Sequence, residues 1–145
     1  MDINSILNQN TNIKADGKSA FPNADTQLGT FHDAEVVGVE APATQRYASQ
    51  NHYQWILKTK VASHGNTEIN HWITFSTETP EKIQASTAYF VSLAKQLQRA
   101  TGTPETQGEM SAQEAINAIN ALKGKKLTVS QTHNGKRYVQ TYAQA

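Results

Sequence analysis

The 145-residue sequence predicts a mainly β domain of five strands with a helical insertion between the third and fourth. Three observations carry this. Residues 53–61 and 69–75 alternate apolar and polar side chains with a period of two. After residue 79 the apolar positions instead recur at steps of three and four, the helical period. Two turn signals, Ser63-His64-Gly65-Asn66 and His133-Asn134-Gly135, each lie between strand-like arms.

Taken in order, residues 1–28 mix Asn, Asp, Lys and Gly with too few apolar positions for a core. They read as a flexible or partner-docking arm, in which Ile3, Ile6 and Leu7 have the spacing of a short amphipathic turn. The domain proper spans residues 29–145. Its first strand begins at Gly29, carries Phe31, Ala34, Val36, Val37 and Val39, and stops at Ala41-Pro42. Residues 43–50 form a polar connection that holds Arg46 and Tyr47.

In the second strand Tyr53, Trp55, Leu57, Thr59 and Val61 share one face, and Gln54, Ile56, Lys58 and Lys60 the other. In the third, Ile69, Ile73 and Phe75 oppose Asn70, Trp72 and Thr74. With the aliphatic faces inward, Trp72, Lys58 and Lys60 point outward together. Thr79 is then a good N-cap, with Pro80 at the first helical position and Glu81 near the positive end of the dipole. Ile83, Thr87, Phe90, Ala94 and Leu97 form the apolar stripe, and Gly102 ends the helix. Ser111 to Glu114 match a capping box ahead of Ala115, Ile116, Ile119 and Leu122, and Gly124 closes this second helix. The last two strands, residues 125–132 and 136–142, are joined by the Asn-Gly turn.

Three strands, a helical insertion and two strands is the order of an OB-fold, a five-stranded Greek-key barrel. Another small barrel, or an open antiparallel sheet with helices on one face, has the same order.

Charged residues make up 17% of the chain and the net charge is +1, which excludes a polycation. The halves differ: residues 1–50 carry three basic and six acidic side chains, residues 51–145 ten basic and six acidic. Such a balance permits nucleic-acid contact without demanding it. The absence of cysteine points to a fold held by packing, as in a cytoplasmic protein. No apolar run approaches a membrane span, and the start lacks the pattern of a signal peptide.

Enzyme signatures are missing: no phosphate-binding glycine loop, no G-x-S-x-G elbow and no H-E-x-x-H. The chain therefore reads as a non-enzyme without cofactor. The five histidines lack metal-ligand spacing; His52, His64 and His71 on one hairpin read as polar surface residues, and no metal is expected. Asp33 and Glu35 place two carboxylates on one strand face, the pattern of a solvated face more often than of an acid–base pair.

Single-strand binding needs aromatic faces for bases and cations for phosphates. The candidates are Trp72 with Lys58 and Lys60, Tyr53 and Trp55 near the open end of the hairpin, Arg46 and Tyr47 in the preceding loop, and Lys136, Arg137, Tyr138 and Tyr142 in the last strand. Trp55 shares its face with Leu57 and Val61 and so also reads as core. Tyr138 and Tyr142 share a side of their strand opposite Val139, and either side could face inward. Lys123, Lys125 and Lys126 sit where a helix dipole alone accounts for them.

Gly29-Thr30-Phe31 with Ala34-Glu35-Val36-Val37, Trp55-Ile56-Leu57-Lys58, Trp72-Ile73-Thr74-Phe75, Tyr89-Phe90 and Leu122-Lys123-Gly124-Lys125-Lys126-Leu127 together resemble the bacteriophage single-stranded-DNA-binding proteins of OB fold. The resemblance covers residues 17–142 and rests on spacing and hydrophobic pattern. It implies a homo-oligomeric protein that coats single-stranded DNA, stacks bases on barrel aromatics and works with phage replication or recombination proteins. The chain ends Thr141-Tyr142-Ala143-Gln144-Ala145, without the acidic tail by which such proteins recruit partners. A protein-interaction module on the same fold, without DNA binding, is the competing expectation, and a self-assembling virion component a third.

Overall fold

The strand that starts at Gly29 becomes the centre of a sheet. The computed structural model describes residues 28–145; the arm expected over residues 1–28, with Ile3, Ile6 and Leu7, lies outside the described residues except for its last position. The elements are β1 (Gly29–Glu40), β2 (His52–Val61), β3 (Thr67–Ser76), α1 (Pro80–Ala100), α2 (Ala112–Asn120), β4 (Lys126–His133) and β5 (Tyr138–Ala143). They build one open antiparallel sheet in the order β3-β2-β1-β4-β5, and both helices fall between β3 and β4 in the chain.

β1 shows why its apolar residues do not alternate cleanly. Phe31, Ala34, Val36 and Val39 are all buried, although they lie three, two and three residues apart. Register shifts between Phe31 and Ala34 against β4, and between Val36 and Gly38 against β2, supply the extra residues. Each bulge re-phases the strand, so the same face stays inward. At the second shift Gly38 has φ +138°, and a Cβ there would lie 2.7 Å from Asn120 Oδ1. That oxygen accepts the Val39 N–H at 2.8 Å, which staples the end of α2 into the bulge.

The hairpin of β2 and β3 keeps an unbroken register from His52–Ser76 to Val61–Thr67. Leu57, Val61, Ile69 and Ile73 are buried in one cluster with Phe90, Leu93, Ala94 and Leu97 of α1 and Ala115, Ile116 and Ile119 of α2. The expected caps form: Thr79 accepts from Lys82 N–H, and Ser111 with Glu114 completes a capping box.

The stripe on α1 departs from expectation at its start. Ile83 is 40% exposed, and Thr87 donates to the Ile83 carbonyl of its own helix. Residues 80–85 are all exposed, because the helix begins before it reaches the sheet. In the last hairpin, Asn134 Oδ1 accepts from the N–H groups of Lys136 and Arg137. This Asx turn holds both residues in the connection, so β5 starts at Tyr138 and not at Lys136.

Gly38→Ala should lower stability by about 1–3 kcal/mol, from the positive φ and the clash with Asn120. Urea denaturation measures this. Combined with Asn120→Ala, the loss should be smaller than the sum of the two single losses, because the pair shares one contact.

Candidate nucleic-acid interface

Trp72 sits opposite Ile56 on the outer face of the sheet, and half of it is exposed. Two concavities meet at this side chain. One, of about 540 Å³, is lined by Pro42, Ala43, Thr44, Arg46, Tyr47, Gln54 and Trp72. The other is a groove of about 580 Å³ between the two edge strands; Asn70 to Thr74 form one wall, Arg137 to Gln140 the other, and Tyr89 joins from α1.

The first concavity depends on where the loop after β1 is fastened. The β1–β2 ladder ends at the Glu40–Ile56 pair, which leaves the main chain of Gln54 without a β1 partner. The Gln45 carboxamide takes that place: its Nε2 donates to the Gln54 carbonyl at 2.8 Å, and its Oε1 accepts the Gln54 N–H at 2.7 Å. One side chain thus continues the ladder and pins Arg46 and Tyr47 beside Trp72.

The groove is tied at its base by three side chains. His71 Nε2 lies 2.7 Å from Tyr89 Oη, and its Nδ1 lies 2.9 Å from Tyr142 Oη. The His71 and Tyr142 rings stack with centroids 6.0 Å apart. A neutral imidazole has one N–H and one lone pair, so one tyrosine accepts from it and the other donates. Burial holds the His71 pKa down at about 4, below its ordinary 6.5. Burial also raises the hydroxyl pKa values of Tyr89, where Arg137 nearby works against the rise, and of Tyr142. His71 is therefore a buried tie, not the surface residue expected, because α1 and β5 close over it.

The sequence candidates divide between the two concavities and the rest of the surface. Trp72, Arg46, Tyr47, Arg137 and Tyr138 line the concavities. Lys58 pairs with Glu40 and Glu68, and Lys60 with Glu35, which also binds Lys126. These cross-strand pairs neutralise the outer face beside Trp72. The hydrogen bond that Lys58 donates to Glu40 raises the pKa of Lys58, and those that Lys60 and Lys126 donate to Glu35 lower that of Glu35. Asp33 accepts the Ser63 N–H, so each carboxylate of that strand face has its own partner. Trp55 is half-buried against the core, and Tyr53, 37% exposed, lines neither concavity. Lys136 stands at the hairpin tip, outside the groove lining.

Arg46, Lys136 and Arg137 make no ion pair with another described residue. Among the described residues no carboxylate lines either concavity. Tyr138 packs edge-on against His133, with centroids 4.7 Å apart, and is 37% exposed. It shares a side with the buried Tyr142, which settles that this side of β5 faces inward.

Tyr89 is the groove residue the sequence reading passed over. It lies off the apolar stripe of its helix, and an aromatic at such a position was the available signal. No three His, Asp or Glu side chains among the described residues are grouped to hold a metal ion. No described helix is long and apolar enough to cross a membrane.

His71 yields a pH prediction. Its folded pKa lies below its unfolded one, so its contribution is complete above about pH 6.5 and is lost as pH falls through about 4. Stability should drop by about 3 kcal/mol across that window. Denaturation midpoints measured at several pH values test this, and His71→Gln should flatten the dependence there. Asp33, Glu35 and Glu78 have pKa values lowered by their hydrogen bonds, so they too lose stability as pH falls through the ordinary carboxylate range.

No family model matches the chain and no curated protein matches it, so the geometry around Trp72 carries the functional reading by itself.

Proposed function

We propose that this chain is a non-enzymatic single-stranded DNA-binding protein on an OB-fold-like barrel, largely indifferent to sequence, that acts in phage DNA replication or recombination in the host cytoplasm. One observation carries the reading. Trp72 lies between two concavities that hold two arginines without an ion-pair partner among the described residues, three tyrosines and no described carboxylate. Stacking surfaces beside unneutralised cations are what a single strand requires.

The placement supports the fold assignment too. OB-folds bind oligonucleotides on the face of strands 2 and 3 and with the loops joining strands 1–2 and 4–5. Here Gln54 and Trp72 come from β2 and β3, Arg46 and Tyr47 from the β1–β2 loop, and Arg137 from the β4–β5 turn. The phosphate path then runs over Arg46 and Arg137. Lys58 and Lys60 serve the sheet, since their charges are already paired.

A protein-interaction module on the same fold is the second reading. The projecting start of α1 with exposed Ile83 favours it. Titration with oligo(dT), followed by fluorescence, separates the two, because a module of this kind leaves the oligonucleotide unbound.

Trp72→Ala should weaken oligo(dT) binding by about 1–3 kcal/mol at a fixed salt concentration. An unchanged affinity in a folded variant would reject Trp72 as the stacking platform. Arg46→Ala and Arg137→Ala should each reduce the slope of log affinity against log salt by about 0.7, whereas Lys58→Ala should leave it unchanged.

A further inference from the structure

The groove between β3 and β5 is walled by main chain as well as by side chains. The Thr77 N–H donates to the Asn51 carbonyl at 2.9 Å, which marks that position of the β2–β3 ladder as hydrogen-bonded. Antiparallel pairing alternates, so the N–H and C=O groups of Asn70, Trp72 and Thr74 turn away from β2. Ser76 confirms the phase: its N–H points away from β2 and donates to Ser86 Oγ. On the other wall, the Asn134 N–H donates to the Arg137 carbonyl at 3.1 Å. The same alternation turns Tyr138 and Gln140 away from β4.

β3 and β5 are the two edges of the sheet and do not pair with each other. All five residues line the groove. Each offers an N–H and a C=O side by side, and successive offers along a strand are about 7 Å apart. The tie from His71 to Tyr142 and Tyr89 spans the gap below them.

We infer that nucleobases enter this groove edge-on and are held by main-chain hydrogen bonds from β3 and β5. The inference rests on the single-strand reading above and adds a selection to it. Every base has neighbouring donors and acceptors on its Watson–Crick edge, so edge recognition by main chain tolerates any sequence but requires that edge to be free. Duplex, whose edges are occupied, is refused. Unpaired strand edges also accept extended peptides. Here three residues of β3 and two of β5 turn their main chain toward the gap. Aromatic faces and Arg137, which has no ion-pair partner among the described residues, flank them, which favours bases.

The test compares the full chain binding a thymidine dodecamer, the same dodecamer methylated at every thymine N3, and a duplex dodecamer, at one salt concentration. N3 methylation keeps the phosphates and the ring face and removes the edge donor. The methylated strand should bind at least tenfold more weakly, and the duplex should bind more weakly than the thymidine strand. Equal binding of both single strands overturns edge recognition while leaving the single-strand reading intact. Failure of the unmodified strand to bind overturns both. Amide hydrogen exchange supplies the second readout: Trp72, Thr74, Tyr138 and Gln140 should exchange rapidly in the free chain and become protected by the thymidine strand. Amides already protected in the free chain would mean that a peptide segment fills the groove, and the inference would fall.

Discussion

Two strand edges face each other in this protein without pairing, and among the described residues a buried histidine joins them. His71 reaches Tyr142 on β5 with one ring nitrogen and Tyr89 on α1 with the other. Side chains thereby do at one level what a backbone ladder would do along a whole strand. A ladder would occupy the N–H and C=O groups of both edges, whereas a side-chain tie leaves them open above it. The groove, its aromatic rim and its main-chain walls all follow from that substitution. The neutrality of His71 belongs to the same arrangement, since a protonated ring would place a charge among buried apolar groups.

The distribution of charge follows from register. β2 carries its lysines on the outer face, where antiparallel pairing sets Lys58 between Glu40 and Glu68 and Lys60 beside Glu35. Exposed pairs of this kind add little stability, but they set a carboxylate beside each of these cations. Arginines held by loops escape this. Arg46 follows the Gln45 splice and Arg137 follows the Asn134 turn, so each is displayed away from the acidic partners of the sheet. The net charge of +1 thus coexists with two positive points on either side of one tryptophan.

Much of the fold was legible in the residues. The period of β2 and β3, the caps at Thr79 and Ser111, and the Asn-Gly hairpin are local signals, set by backbone preference and by side chains within a few positions of each other. Trp72 on the outer face and Trp55 toward the core followed from alternation alone. β1 was less legible because its bulges break the period of two. Gly38 was silent, since the atom that excludes a larger residue belongs to Asn120. Ile83 misled because helical periodicity says which side is apolar, not how far the sheet extends beneath it.

The sequence by itself determined the elements, their order, the turn chemistry and the outward direction of Trp72, because each depends on contacts between near neighbours in the chain. Tertiary structure decided which cations are paired, that His71 is buried, that Tyr89 joins the groove, and that Arg46 and Arg137 flank one tryptophan. Those outcomes depend on strand order and on contacts such as His71–Tyr89 and Glu35–Lys126, 18 and 91 positions apart in the chain. No local pattern encodes such distances, and the energy that selects them comes from burying the core as a whole.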